Sequence, residues 1–333
     1  MSVIRQDPTT KEWVIIATER AKRPDQFKRE HGPTDLPPWQ GSCPFCPGNE
    51  MLTPQEILRL PGKEDGSWDV RIIPNKFAAL YGPGEATRRE EGPLFREMDG
   101  VGSHEVIIET PIHNQRMGLM SDHEVERILK ACQMRYSILE RDPRIKSIII
   151  FKNHGEHAGT SLEHPHTQLV ATPVAPMLMR RKYDVAISHY DDTGRCLFCD
   201  LVTAELEAKA RILFETDGFV VFHPYASRLP FETWITPRRM QSSFGQVTSD
   251  DLRELAAVLR RTLRGLDAAL NNPHFNFVIH SAPAGDHQQD YYLWHIQILP
   301  RLTTIAGFEL GSGIFINTML PEESAKYLRK NCS

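Results

Sequence analysis

The chain has 333 residues, of which 40% are hydrophobic and 25% charged, and its formal net charge is −4. This length allows two ordinary domains or one large one. No segment approaches the roughly 18 apolar residues of a membrane span. The first residues lack the apolar core of a signal peptide, and the net charge does not support a general nucleic-acid footprint. We therefore expect a cytoplasmic protein with neither membrane nor nucleic-acid partners.

Four of the six cysteines form two C-x-x-C pairs, C-P-F-C at 43–46 and C-L-F-C at 196–199. In a reducing compartment this spacing indicates metal or redox chemistry rather than structural disulfides. A zinc ribbon is excluded, because its two pairs lie close together in sequence and these pairs do not. A redox pair, or two unrelated thiols, remains an alternative for residues 43–46.

Each cysteine pair opens one copy of the same series of elements. The series is an apolar strand that stops at Thr-Pro, a capped amphipathic helix, a strand that runs into a histidine, and a His-x-Gln strand. In the first copy these elements are predicted at 106–111, 121–139, 147–151 and 164–171, and in the second at 233–237, 248–270, 276–279 and 293–297. Five matching elements in one order predict two similar halves.

The halves are predicted to be α+β units with mainly antiparallel sheets and flanking helices. Their strands are short and are separated by turns or by one long helix, which favours this class over a doubly wound α/β fold. The break is predicted near 180–195, where charged and polar residues suggest a linker. The sequence contains neither G-x-G-x-x-G nor G-x-x-x-x-G-K-[ST], so the two common nucleotide fingerprints do not apply.

The most informative motif is H-P-H-T-Q at 164–168. On a strand, alternate side chains point the same way, so His164, His166 and Gln168 are predicted to share one face. Buried polar groups need partners, and such a face therefore indicates a ligand. A neutral imidazole at His166 could act as a nucleophile or a general base. The loop at 153–161 is rich in small polar residues and could hold phosphate oxygens, although an ordinary surface loop has the same composition.

The first half offers a complete set of zinc ligands. Structural zinc takes four Cys or His ligands, and the repeat places Cys43, Cys46, His113 and His164 at matching points of the fold. We therefore predict one structural Zn²⁺ site. Zinc on His164 would fix the start of the strand that carries His166.

The second half is predicted to hold only a degenerate version of that site. Met240 and Leu293 stand where the two histidines would be, and neither is a good zinc ligand. His223, His280 or His295 could still complete a site with Cys196 and Cys199 by another route.

Three motifs in this order resemble the galactose-1-phosphate uridylyltransferase family of the histidine-triad superfamily. They are R-A-K-R-P at 20–24, the cysteine pair at 43–46 and H-P-H-x-Q at 164–168. The resemblance covers nearly the whole chain. It implies two tandem histidine-triad-like halves, with the zinc site and nucleophile in residues 1–185 and a sugar-contacting segment in residues 186–333. It also implies a homodimer.

The resemblance also implies roles for individual residues. His166 would be the nucleophile, and Gln168 would hold a phosphoryl oxygen as charge shifts. The other substrate-binding residues, by the same resemblance, would be Arg20 and Arg23 on phosphates, Asn75 and Phe77 in the nucleoside segment, Asn153, Gly159 and Ser161 in the phosphate loop, and Phe308 and Glu309 in the sugar segment.

The implied reaction is a double displacement through a uridylyl-histidine. UDP-glucose and galactose 1-phosphate would give glucose 1-phosphate and UDP-galactose, without a catalytic magnesium ion. Thr167 departs from the glycine of the bacterial type, Phe308 replaces a frequent tyrosine, and Leu293 replaces a histidine. The first two departures resemble a branch that includes ADP-glucose phosphorylase, so an ADP-sugar phosphorylase is the alternative. A histidine-triad hydrolase and a non-catalytic, zinc-stabilised nucleotide-binding protein are the further alternatives.

Overall fold

The computed structural model describes residues 2–20, 23–28, 36–286 and 289–332. In chain order, the elements of the N-terminal half are β1 (Val3–Gln6), β2 (Trp13–Ile16), β3 (Leu58–Pro61), β4 (Trp68–Pro74), β5 (Arg89–Glu91), β6 (Phe95–Glu97), β7 (Ser103–Ile108), α1 (Asp122–Leu139), β8 (Ser147–His154) and β9 (His166–Thr172). The elements that follow are α2 (Met177–Thr193), α3 (Leu197–Ala208), β10 (Ile212–Glu215), β11 (Phe219–Phe222), β12 (Thr233–Pro237), α4 (Ser249–Leu270), β13 (Phe275–His280), β14 (His295–Pro300), α5 (Gly307–Ser312), β15 (Phe315–Asn317) and α6 (Pro321–Arg329).

Ten strands form one sheet in the order β10-β11-β12-β14-β13-β8-β9-β7-β4-β3. Every neighbouring pair in this sheet is antiparallel. β8 and β13 meet at the centre, and each half contributes five strands in mirrored order around them. The predicted α+β class with mainly antiparallel strands is confirmed.

The two long helices form where the sequence predicts them. α1 begins at a capping box of Ser121 and Glu124, and α4 begins at one of Thr248 and Asp251. Each box satisfies backbone N–H groups that the first helical turn leaves without partners. The apolar stripe of each helix is buried against the sheet and against the other helix, at roughly 1.5–3 kcal/mol per fully buried large side chain.

The two faces of the sheet have different roles. One face packs on α1 and α4 through alternate apolar residues such as Ile107, Leu169 and Ile279. His166 lies opposite Ile108 and Gln168 lies opposite Phe151 in the strand register, so both side chains project from the other face. The polar residues of interest therefore lie on the face that α1 and α4 leave uncovered.

Two details of the predicted elements are wrong. The region predicted as a linker is helix α2, because residues at helical spacing within its polar sequence, Met179, Lys182, Tyr183 and Ala186, are buried. The strand predicted from His164 begins at His166, because Pro165 lacks the N–H that ladder pairing needs. The His164 ring turns toward the cysteines.

The boundary between the predicted halves, 1–185 and 186–333, falls inside α2. The ends of the chain also meet, because β15 pairs with β2 in a small sheet ordered β1-β2-β15. The division into two histidine-triad-like halves therefore stays a prediction. Among the helices that lie in the described ranges, none has both the length and the apolar character that crossing a bilayer requires.

Candidate active site

The four predicted metal ligands lie together in the interior. The ligand atoms of Cys43, Cys46, His113 and His164 all lie within 4.8 Å of one another, and all four residues are buried. Cys46 Sγ lies 3.5 Å from His113 Nδ1 and 3.6 Å from His164 Nδ1. Two sulfurs and two ring nitrogens at this separation can surround one metal ion.

Local hydrogen bonds hold the ligands in this arrangement. The Cys46 N–H donates to Cys43 O (3.3 Å), and the Asn49 amide donates to the same oxygen (2.8 Å). His164 Nε2–H donates to Thr110 O (2.8 Å), so the unprotonated Nδ1 faces the sulfurs. Burial lowers the pKa of His164 to about 4, which keeps the ring neutral. A neutral imidazole oriented by a backbone carbonyl is the usual form of a histidine ligand, so these residues fit a zinc ion.

His166 follows this cluster on β9 and has a fixed tautomer. Its Nδ1 lies 2.9 Å from His164 O, and because a carbonyl can only accept, Nδ1 carries the proton. The lone pair is therefore on Nε2. Burial lowers the pKa of His166, so the ring is neutral near pH 7. The Phe45 ring contacts it edge-on, with the two centroids 5.5 Å apart. A neutral, oriented imidazole of this kind is suited to nucleophilic attack.

A buried ion pair supports β9 from the face opposite His166. Glu109 Oε1 accepts from Lys152 Nζ (2.7 Å) and from Thr167 Oγ1 (2.6 Å). Lys152 Nζ also donates to the backbone oxygen of His166 (3.3 Å). These bonds link β8 and β9 to the residue that follows β7, on the face opposite the His166 side chain. Thr167, which departs from the family pattern, is a member of this group.

Gln168 is held by two side chains from neighbouring segments. His104 Nε2 lies 2.9 Å from Gln168 Oε1, and Asn75 Nδ2 lies 3.4 Å from the same oxygen. Asn75 was predicted as a binding residue, whereas sequence reasoning missed His104. The available signal was its position on β7, two and four residues before Val106 and Ile108, which places it on the face that carries His166.

The loop after β8 is braced by the second half of the chain. Asn276, opposite Asn153 in the register, donates to Asn153 Oδ1 and to Ala158 O, both at 2.8 Å. Gly155 has a positive φ of 82°, and a Cβ there would overlap the His274 ring. Only glycine fits at this point of the loop. Asn153 lies on the same face of the sheet as His166 and Gln168, because Phe151, two residues earlier on β8, is opposite Gln168 in the register.

Those of the remaining predicted binding residues whose side chains are described make no hydrogen bond with His166, Gln168 or Asn153. The side chain of Arg20 lies outside the described residues. Arg23, Gly159 and Ser161 are exposed, and Phe77 is 85% exposed. Glu309 Oε2 accepts from the N–H of Ala306, the N-cap residue of α5, and the same helix carries the half-exposed Phe308. Their substrate contacts stay predictions.

The second cysteine pair has different neighbours. Cys196 caps α3 by accepting from the Cys199 N–H, and Cys199 Sγ contacts Met240 Sδ at 3.6 Å. His223, one alternative ligand, is bonded instead to Ser324 Oγ (2.7 Å). Within the described ranges, the residues that gather as a metal-binding group of three or more are those of the first half.

The His-x-Gln pair of the second half is enclosed. His295 Nδ1 donates to Leu293 O (3.1 Å), as His166 does to His164 O. Its Nε2, however, accepts from Lys182 Nζ at 2.9 Å. The ring is fully buried and stacks on Trp234, with centroids 4.5 Å apart. This second imidazole therefore has no accessible lone pair.

The sequence matches the galactose-1-phosphate uridyl transferase N-terminal domain over residues 1–176 and a domain of unknown function over residues 102–331. It is 35% identical to the ADP-glucose phosphorylase of Arabidopsis thaliana, covering 98% of this chain and 92% of that protein. It is 28% identical to the galactose-1-phosphate uridylyltransferase of Thermotoga maritima, covering 99% and 98%.

Solved structures agree with these sequence matches. The crystal structure of an Arabidopsis thaliana ADP-glucose phosphorylase with bound ADP-glucose superposes with a TM-score of 0.84 at 32% identity, covering 99% of each chain. The first-half match extends over more than half of this sequence, and the Arabidopsis relative covers nearly all of it. The chain therefore belongs to the galactose-1-phosphate uridyl transferase family and is an enzyme of that family's nucleotidyltransferase kind.

Proposed function

We propose that the protein transfers the nucleotide of a nucleoside-diphosphate sugar through a covalent intermediate on His166. One observation carries this proposal: Nδ1 of His166 is bonded to a backbone carbonyl, which leaves the Nε2 lone pair on the polar face of the sheet. Gln168 and Asn153, which lie on that face, supply amide groups for the phosphoryl oxygens. Such positioning and charge stabilisation account for most of the catalysis of phosphoryl-type transfer.

The reaction has two displacements at one phosphorus atom. His166 Nε2 attacks the α-phosphorus, a P–N bond forms, and the P–O bond to the sugar 1-phosphate breaks. The Nδ1 proton stays on the ring, where His164 O holds it as positive charge develops. An oxygen of the acceptor phosphate then attacks the same phosphorus, and the P–N bond breaks with its electron pair returning to Nε2.

For the substrates, we propose ADP-glucose as the donor and inorganic phosphate as the acceptor. The 35% identity to an ADP-glucose phosphorylase supports this choice, as do Thr167 and Phe308, which differ from the bacterial uridylyltransferase pattern. The second candidate is UDP-glucose with galactose 1-phosphate, which the 28% identity to a uridylyltransferase supports. The other predicted binding residues would contact phosphate, nucleoside or sugar in either case; they are Arg20, Arg23, Asn75, Phe77, Gly159, Ser161, Phe308 and Glu309.

The four-ligand cluster is proposed to hold one zinc ion with a structural role. Bound there, zinc supplies a fixed link among Cys43, Cys46, His113 and His164, two residues before the nucleophile. The protein is further proposed to act as a homodimer in the cytoplasm.

The test is intact-protein mass spectrometry after mixing with ADP-glucose or, separately, UDP-glucose, with no acceptor present. We expect an AMP adduct that inorganic phosphate removes. A UMP adduct that galactose 1-phosphate removes would select the second candidate. If neither nucleotide sugar gives an adduct, the covalent proposal is wrong.

A further inference from the structure

The amides of Gln168 and Asn153 each have their oxygen end held by a neighbouring side chain. In both cases the orientation can be traced to a backbone group, whose donor or acceptor role is fixed by its chemistry. The position of nitrogen and oxygen in each amide therefore follows from the hydrogen-bond network itself.

For Gln168 the orientation begins at Ala79. The Ala79 N–H donates to His104 Nδ1 (3.2 Å), so the proton of the neutral His104 ring is on Nε2. Nε2–H then donates to Gln168 Oε1 at 2.9 Å. The Asn75 amide is fixed because its Oδ1 accepts from the Phe77 N–H at 2.9 Å. Its NH2 group lies 3.0 Å from His104 Nε2 and 3.4 Å from Gln168 Oε1, so Gln168 must turn its oxygen, which can accept, toward both nitrogens. The NH2 group of Gln168 is therefore the part of the amide that can donate to a ligand.

For Asn153 the orientation begins at Ala158. The Ala158 carbonyl can only accept, and it takes a hydrogen bond from Asn276 Nδ2 at 2.8 Å. The same NH2 group donates to Asn153 Oδ1 at 2.8 Å. Asn153 is thus left with its NH2 group for a ligand. Asn276 lies on β13, so the second half of the chain sets the orientation of a group in the first.

We propose that His104 and Asn276 are positioning residues that turn the NH2 groups of Gln168 and Asn153 toward the phosphoryl group attached to His166. Two such donors suit a phosphoryl group whose oxygens are fully ionised, since an ionised oxygen only accepts. An amide turned the other way would present an oxygen to that charge and repel it. This inference rests on the proposed function.

A pair of double-mutant cycles tests the proposal, with the single-turnover rate of nucleotide adduct formation as the readout. His104→Ala and Asn276→Ala should each slow adduct formation on the order of 10-fold to 100-fold. Each substitution removes the side chain that holds an amide in place, so the NH2 group of that amide no longer donates to the phosphoryl group in the transition state. The dissociation constant for the nucleotide sugar should change less than the rate does.

The combinations separate positioning from a general structural effect. His104→Ala should slow a Gln168→Ala variant no further, whereas Asn276→Ala should still slow it, because that residue acts through Asn153. Asn276→Ala should likewise add nothing to Asn153→Ala. The control is His123→Ala on α1, whose side chain is 67% exposed and whose removal should leave the rate unchanged.

Adduct formation at the wild-type rate in His104→Ala and Asn276→Ala would overturn the positioning roles while leaving the proposed function intact. Full additivity within the pairs would do the same, since it would show an effect that does not pass through the amides. A wild-type protein that forms no adduct would overturn both proposals.

Discussion

The two halves of the chain place a His-x-Gln pair on equivalent strands, and the two pairs differ in the surroundings of one ring nitrogen. His166 and His295 both donate Nδ1–H to the carbonyl two residues earlier, at 2.9 Å and 3.1 Å. Gln168 Oε1 accepts from His104, and Gln297 Oε1 lies 3.0 Å from His280 Nε2. The difference lies at Nε2, because Lys182 donates to that atom of His295.

The comparison shows that the strand motif sets the tautomer, while the surroundings decide the function. In the second half the imidazole is stacked between Trp234 and His280 and closed off by α2. Its polar atoms are satisfied internally, as buried polar atoms must be. In the first half, we propose that the Nε2 atom of His166 faces a substrate instead. The same local geometry is therefore part of the core in the second half, whereas in the first half it is proposed to serve catalysis.

The largest expected effect separates the two histidines. His166→Ala removes the nucleophile and should lower adduct formation by more than about 10³-fold, whereas His295→Ala should still form the adduct. His295→Ala will lower the melting temperature, because it leaves a cavity and strands Lys182. Intact mass and thermal melting of both variants measure the two effects. Wild-type-like turnover in His166→Ala would refute its role as nucleophile.

The two cysteine pairs allow a matched test of metal binding. Cys46→Ser should reduce zinc content from about one equivalent per chain toward none and lower the melting temperature by roughly 5–10 °C, since metal affinity contributes to folding. Cys199→Ser should leave the zinc content unchanged, because its sulfur contacts Met240. Metal analysis by mass spectrometry is the measurement. Two equivalents in the wild type, or an equal loss in both variants, would contradict this assignment.

The two buried lysines should respond in different ways to the same substitution. Lys152→Met leaves the buried Glu109 carboxylate without its cation and should cost about 3–5 kcal/mol of unfolding free energy. Lys182→Met leaves the neutral His295 imidazole without its hydrogen-bond donor. This substitution should change the unfolding free energy by about 1–2 kcal/mol or less at pH 7. Chemical denaturation of both variants measures the difference. Equal losses would show that the Lys182 site also depends on a charge.

The smallest expected effect is a pH dependence that belongs to Lys182. Burial lowers the pKa of Lys182 to about 7, and Asp7, Glu232 and Glu12 only partly counteract this, while Arg228 adds to it. The unfolded value is about 10.4, so above pH 7 the unfolded chain holds a proton that the folded chain releases. Stability contributed by this group therefore rises with pH from about 7 to about 10.

The Lys182→Met variant isolates that contribution. Relative to the wild type, its unfolding free energy should fall by an additional amount of about 2 kcal/mol between pH 7 and pH 9. Titration of cysteines and tyrosines affects both proteins and cancels in the difference. A difference that stays constant with pH would place the folded pKa of Lys182 near its ordinary value.

Much of the fold could be predicted from local patterns. The capping boxes and apolar stripes located α1 and α4, and the repeated order of elements indicated two related halves. α2 was missed because its buried positions include Lys182 among many charged residues, so its stripe does not read as apolar. The strand was predicted to start two residues too early, at His164. Its alternating pattern of residue types continues through Pro165, whereas the His164 ring lies next to Cys43 and Cys46, which are distant in sequence.

The candidate site divides in the same way. Alternation along a strand marked His166 and Gln168, and the C-x-x-C spacing together with the repeat marked Cys43, Cys46, His113 and His164. His104 and Asn276 could not be found in this way, since each acts on a side chain from another strand. Their importance depends on which atoms the register brings within hydrogen-bond distance.

The sequence by itself determined the α+β class, the repeated order of elements, the four residues that cluster as a possible metal site and the strand that carries the proposed nucleophile. Only the tertiary structure decided which of the two His-x-Gln pairs keeps an accessible Nε2, and how the amides beside it are turned. The physical reason is the sequence separation of the interacting residues. Helix caps and strand alternation depend on neighbours a few residues apart, so they can be predicted from the sequence. The closure of His295 by Lys182, 113 residues away, depends on packing between distant segments.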